Sequence, residues 1–177
     1  MTTRPASRRR ATALAIAASV GVLCSSLAAA PAGAAGRSRT AAATCRAGGL
    51  VTWLDTQPNG AAGTIYYTLN FTNLSGAPCT LRGYPAVSAI GLRGGSLGSA
   101  GSRNPTRRVR TVMLRNGATA HADLGIVEAG SYAGCRIVTA AGIRVWAPGQ
   151  ARAQRVPFPF QACSNRGPVV LRVSAVH

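Results

Sequence analysis

The sequence predicts an all-β protein, an antiparallel β-sandwich of seven to nine strands stapled by two disulfides. Three observations carry this. Apolar and polar residues alternate in several runs, the period of a half-buried strand. Clusters of Gly, Pro, Asn and Ser separate those runs, and no amphipathic helix follows the first thirty-five residues, so two facing sheets are the natural way to close a core. Four well-separated cysteines remain once an export leader is removed, with no C-x-x-C spacing, and such a set in an exported chain reads as two disulfides rather than a metal site.

Residues 1–35 read as a signal peptide. Arg4, Arg8, Arg9 and Arg10 supply a basic start, "ATALAIAASVGVLCSSLAAA" the apolar stretch, and Ala32-Gly33-Ala34 a small-residue cleavage pattern. The apolar run is long enough to span a bilayer, but it is Ala-rich and followed by that site, so cleavage rather than anchoring is expected. Cys24 follows Leu23 instead of a small residue, which argues against lipid attachment. Arg10, Ala11 and Thr12 follow Ser7-Arg8-Arg9 where a twin-arginine signal has large apolar residues. The expected route is therefore general secretion, and the expected location extracellular or at the cell wall, with no transmembrane segment in the mature chain.

Residues 36–44, small, polar and basic, are expected to form a flexible arm. Residues 45–177 form one domain, large enough for a single core. In "GTIYYTLNFTN", Ile65, Tyr67, Leu69 and Phe71 share one face, and Thr64, Tyr66, Thr68, Asn70 and Thr72 the other. In "ATAHADLGIVE", Ala118, Ala120, Ala122, Leu124 and Ile126 point inward, with Thr119, His121, Asp123 and Glu128 mostly outward. Ile143, Val145 and Ala147 face in from "GIRVWAP", as do Val169, Leu171, Val173 and Ala175 from "PVVLRVSAV". Asn116-Gly117 marks a turn. "GLRGGSLGSAGSRNPTRR" is too poor in apolar residues for a core and is expected as a long surface loop. Trp53 and Phe158-Pro159-Phe160 read as packing residues. Two N-glycosylation patterns, at Asn70 and Asn73, read as accidental.

The cysteines are Cys45, Cys79, Cys135 and Cys163, and three pairings are open. Joining Cys45 to Cys79 and Cys135 to Cys163 closes loops of about 35 and 29 residues, each contributing roughly 3.5–4 kcal/mol through unfolded-chain entropy. The crossed and nested pairings differ by less than about 1 kcal/mol per bond, so entropy does not choose. The sequential pairing is preferred because nearby cysteines meet first after export.

Taken in order, "NFTNLSGAPCTLRGYPAV", "LRNGATAHADL", "CRIVTAAGIRVWAPGQ" and "VPFPFQACSNRGPVVLRVSAV" resemble the successive blocks of a secreted actinobacterial family catalogued as domain of unknown function 4232. The likeness runs from about Cys45 to Val176. It implies an exported or lipid-anchored envelope protein with an immunoglobulin-like sandwich, and the four cysteines fall where the family's do. No catalytic residues come with the family. Arg115-Asn116-Gly117 departs from its usual Pro-Gly turn, which affects only the local turn type.

The chemistry inventory is thin. The carboxylates are Asp55, Asp123 and Glu128. Asp123 and Glu128 on one strand are separated by roughly 16 Å, beyond the reach of paired-carboxyl glycoside chemistry, and Asp55 is free to approach either. His121 and Asp123 share a strand face, but a catalytic zinc site needs three protein ligands and the one other histidine is His177. No G-x-S-x-G elbow accompanies the serines. The chain is thus expected to be noncatalytic, with no metal or other cofactor.

Charge points elsewhere. All twenty basic residues are Arg. Without the four in the leader, sixteen face three carboxylates, a formal +13. Such an excess favours anionic polymers, although an Ala-, Gly- and Arg-rich chain also fits a high-GC coding bias. Arg103, Arg107, Arg108, Arg110 and Arg115 form the densest basic stretch, with Arg108 and Arg110 expected to alternate outward from a strand. Arg144 and Trp146 add a guanidinium and a stacking ring. A solvated edge that resists sheet-to-sheet pairing is the structural alternative. The expected partners are anionic cell-envelope polymers or another secreted protein, with nucleic acid only as a non-specific ligand. A secreted inhibitor of extracellular proteases, presenting residues 91–105 as its loop, is the competing expectation.

Overall fold

The computed structural model of the protein describes residues 42–177. The expected leader, with Cys24 and the cleavage site, and the arm up to residue 41 lie outside the described residues. Eleven strands follow one another: β1 (Leu50–Ala61), β2 (Thr64–Asn73), β3 (Cys79–Arg82), β4 (Ala86–Ile90), β5 (Ser96–Leu97), β6 (Ser102–Asn104), β7 (Thr111–Leu114), β8 (Thr119–Val127), β9 (Ile137–Trp146), β10 (Gln154–Cys163) and β11 (Leu171–Ser174). They build a five-stranded sheet, β1-β2-β8-β11-β6, a four-stranded sheet, β10-β9-β4-β5, and a separate pair, β3-β7. Nine strands have four residues or more, and the short β5 and β6 complete the count. This is the all-β sandwich that the alternation predicts.

The core lies between the two larger sheets. Leu69 and Phe71 on β2, Ala122 and Leu124 on β8 and Leu171 and Val173 on β11 meet Val87 and Ala89 on β4, Ile143 and Val145 on β9 and Val156 on β10. Alanines on β8 leave room for the larger side chains beside them. Each fully buried Leu, Val, Ile or Phe contributes about 1.5–3 kcal/mol relative to exposure.

The cysteines pair sequentially, Cys45 with Cys79 and Cys135 with Cys163. The first bond ties the chain entering β1 to β3. Hydrogen bonds extend that tie: Cys45 N donates to Thr80 O and Thr80 N to Ala43 O, both at 2.9 Å, with Thr44 in a parallel bridge to Thr80. The last residues of the expected arm, Ala43 and Thr44, are therefore fixed against β3.

Four expectations change. Val169, expected inward, is part-exposed, and Val170 enters the core in its place. Ile65, expected inward, is half exposed because it lines an open apolar cleft beyond the end of the closed core. Asn70 is on the outer face as expected but is buried: Trp53 and His121 are its cross-strand neighbours, and its Oδ1 lies 2.7 Å from His121 Nδ1. Trp53, expected as a packing residue, sits outward and is 45% exposed, its indole N–H donating to Thr72 Oγ1 at 3.0 Å. Phe158 does pack, edge-to-face on Tyr67 with ring centroids 4.8 Å apart.

The Gly- and Ser-rich stretch also departs from a single long loop. It contributes β5 to the four-stranded sheet and then β6 to the five-stranded one, where β6 runs parallel to β11. The crossing between them passes very close to other backbone and side chains. A β-carbon at Gly101 would collide with Val87 Cγ2, so glycine is needed there on space alone. Residues 105–110 form no strand, so Arg108 and Arg110 lie in the connection leading to β7 instead of alternating along it.

At the side where β1 and β10 approach each other, two glutamines close the gap. Gln154 accepts from Thr52 N at 2.9 Å and donates to Leu50 O and Ala47 O. Gln150 accepts from Ala47 N at 2.8 Å and donates to Cys45 O. Irregular pairing accompanies Pro58 on β1 and Pro157 and Pro159 on β10, as befits edge strands that must not recruit a further chain.

Candidate functional site

The outward face of β9 and its neighbours concentrates positive charge. Ile143 and Val145 fill the core, so Arg144 and Trp146 point away from it. Arg144 stands directly opposite Arg155 of β10 in the antiparallel register. Its guanidinium donates to Gly94 O at 2.8 Å and Ser96 Oγ at 3.0 Å and lies 6.0 Å from the Trp146 ring centroid. The Arg155 guanidinium rests against Gly94, with both terminal nitrogens 3.6 Å from where a β-carbon there would sit. Like charges opposite one another destabilise a strand pair by a few tenths to about 1 kcal/mol. The single ion pair among the described residues, Arg107 with Asp123, is on the other sheet and does not relieve it.

Two planar guanidiniums meet at one glycine beside an indole and form a cationic fork, and guanidinium groups suit phosphate and carboxylate. Arg155 is the member that sequence reading missed. The same alternation that places Val156 inward places Arg155 outward, so period two was the available signal. Changing Arg155 to Ala is expected to raise unfolding free energy by about 0.5 kcal/mol in dilute buffer, read by urea denaturation.

The other arginines singled out from the sequence lie elsewhere. Arg107 Nε donates to Asp123 Oδ2 at 3.0 Å on the outer face of the five-stranded sheet. Arg103, on β6, places its guanidinium 5.4 Å from the Tyr84 ring centroid. Arg115 begins the turn closed by Ala118 N donating to its carbonyl at 3.0 Å, where Asn116 Oδ1 accepts from Gly76 N. Arg108 and Arg110 are exposed in the connection to β7. The seven candidate anion-binding residues, six arginines and Trp146, are distributed over both faces of the sandwich.

The carboxylates are positioned by register. Asp55 pairs with Thr68, and Thr68 with Asp123, so two acids share one outward row about 10 Å apart at the backbone, twice the strand spacing. Asp55 accepts from Gln57 N at 3.0 Å and Asp123 holds Arg107. His121 and His177 come side by side, their backbones exchanging both hydrogen bonds and their ring centroids 6.2 Å apart. No group of three metal-ligating side chains occurs among the described residues.

The family model for a domain of unknown function, DUF4232, matches residues 45–177. The chain belongs to that family. No curated protein and no solved structure matches it. The matched residues of this DUF4232 domain begin at Cys45, so both disulfides and all eleven strands lie within them. Among the described residues no helix is long and apolar enough to cross a membrane.

Proposed function

We propose that this DUF4232 domain is a noncatalytic binding module, exported and held at the cell envelope, that grips anionic polymer through Arg144, Arg155 and Trp146. The observation that carries this reading is the facing arginine pair with no acid beside it. A bound phosphate or carboxylate offsets its repulsion, so the ligand contributes binding free energy that the free protein lacks. The wider surplus, fourteen arginines against three carboxylates among the described residues, speeds encounter at long range. Two disulfides suit an oxidising compartment. The inhibitor reading has less support. Residues 91–105 are tied into both sheets by β5 and β6, and their outer tip is a tight turn with Gly94 N donating to Gly91 O, whereas a protease groove takes an extended segment.

The purified protein is expected to sediment with a phosphate-bearing wall polymer at low salt and to be released near 1 M salt, where the Debye length falls to about 3 Å. Changing Arg144 and Arg155 together to Gln should abolish most of that retention. Equal sedimentation at both salt concentrations, or none at low salt, would count against the proposal.

A further inference from the structure

The opposite face of the sandwich differs in chemistry from the arginine pair. A cleft of about 400 Å³ opens on the five-stranded sheet, lined by Asn59, Tyr66, Asn104, Arg107 and Asp123. We infer that it binds a neutral saccharide, with the Tyr66 ring against one face of a pyranose and the planar polar groups around it holding neighbouring hydroxyls.

The inference rests on which groups meet there and what each has left to offer. Tyr66 lies across Gly125: a β-carbon at Gly125 would sit 2.9 Å from Tyr66 Cε1, so the missing side chain makes room for the ring over the sheet, where it lines the cleft. An aromatic face presented this way matches the C–H face of a sugar ring. Beside it, Arg107 and Asp123 join through one nitrogen and one oxygen only. The terminal guanidinium nitrogens remain as donors and the second carboxylate oxygen as an acceptor, each side chain part-exposed. The amides of Asn59 and Asn104 provide both kinds of group. A hydroxyl donates and accepts at once, and vicinal hydroxyls demand this mixture.

Charge separates this cleft from the arginine fork. Asp123 balances Arg107, so the cleft is locally neutral in a strongly cationic protein, and a carboxylate oxygen facing the ligand repels an anion. Register sets its reach. Asp55 continues the row of Thr68 and Asp123, and exposed Trp53 lies two residues farther along β1 on the same face. The surface therefore extends beyond the width of one ring, as a polysaccharide chain requires.

Affinity electrophoresis through gels containing dextran, mannan or galactan tests the site. Retardation by at least one polymer is expected, and because the polymers carry no charge it should persist at about 1 M salt, where ionic attachment is screened. Tyr66→Ala should weaken binding about tenfold or more and Tyr66→Phe should retain it, since the ring face and not the hydroxyl makes the contact. Asn104→Ala, at the part-exposed end of β6, should weaken it several-fold and decides the matter if Tyr66→Ala fails to fold. Migration unaffected by all three polymers, release by salt, or equal retardation of parent, Tyr66→Ala and Asn104→Ala would overturn the inference. None of those results bears on polyanion binding at the other face.

Discussion

Replacing Cys45 and Cys79 together by alanine is expected to lower the unfolding free energy by about 3–4 kcal/mol, the chain entropy released when a loop of this length is no longer closed. The bond spans 34 residues, against 28 for Cys135–Cys163, and loop length alone separates the two by only a few tenths of a kcal/mol. Their structural roles differ more. Cys135–Cys163 closes beside the β9–β10 ladder, where Cys163 already pairs with Ile137. Cys45–Cys79 anchors β3, whose one strand partner is β7. The double variant should therefore lose amide-exchange protection first in β3 and β7, before the two large sheets open. Urea denaturation with hydrogen exchange measures both effects. A stability change below about 1 kcal/mol, or uniform loss of protection, would contradict the account.

Asn73→Ala is the second substitution with a large expected cost, about 2–3 kcal/mol, because it strands polar groups away from water. Asn73 is fully buried at the end of β2. Its Nδ2 donates to Ala77 O at 2.8 Å and Leu114 O at 3.0 Å. Its Oδ1 accepts from Ser75 N at 3.0 Å and Ser75 Oγ at 2.7 Å. One amide thus fixes the turn after β2 and joins it to β7. Asn73→Asp should be worse at neutral pH, since the carboxylate faces two carbonyl oxygens. Burial against them raises the carboxyl's affinity for a proton in the folded state, so part of the loss should return as pH falls and the group becomes able to donate. Thermal melting across acidic and neutral pH checks this; an Asp variant equal to the parent at neutral pH would show that the amide donors are dispensable.

The sequence makes the inward rows legible because burial writes itself as alternation. Leu69 and Phe71, Ala120 to Leu124, and Ile143 with Val145 all stand where period two places them. The observed cysteine pairing is the one that proximity along the chain favours, while loop entropy leaves all three open. Strands of two or three residues carry no periodic signal, so β5 and β6 are invisible within a Gly- and Ser-rich stretch. The facing pair Arg144 and Arg155, and the row of Asp55 with Asp123, depend on cross-strand register, which turns and bulges set and no single segment reveals. Asn73 is hidden for another reason. Its Asn-Leu-Ser pattern says nothing of burial, and only the closure of a turn over it shows that its amide replaces backbone partners.

Because β11 pairs with β8 on one flank and β6 on the other, tension applied to the polypeptide at its carboxyl-terminal side meets two ladders loaded in shear. Such hydrogen bonds share a pulling force instead of yielding one after another like a zip. The crossing from β5 to β6 passes part of that load into the second sheet.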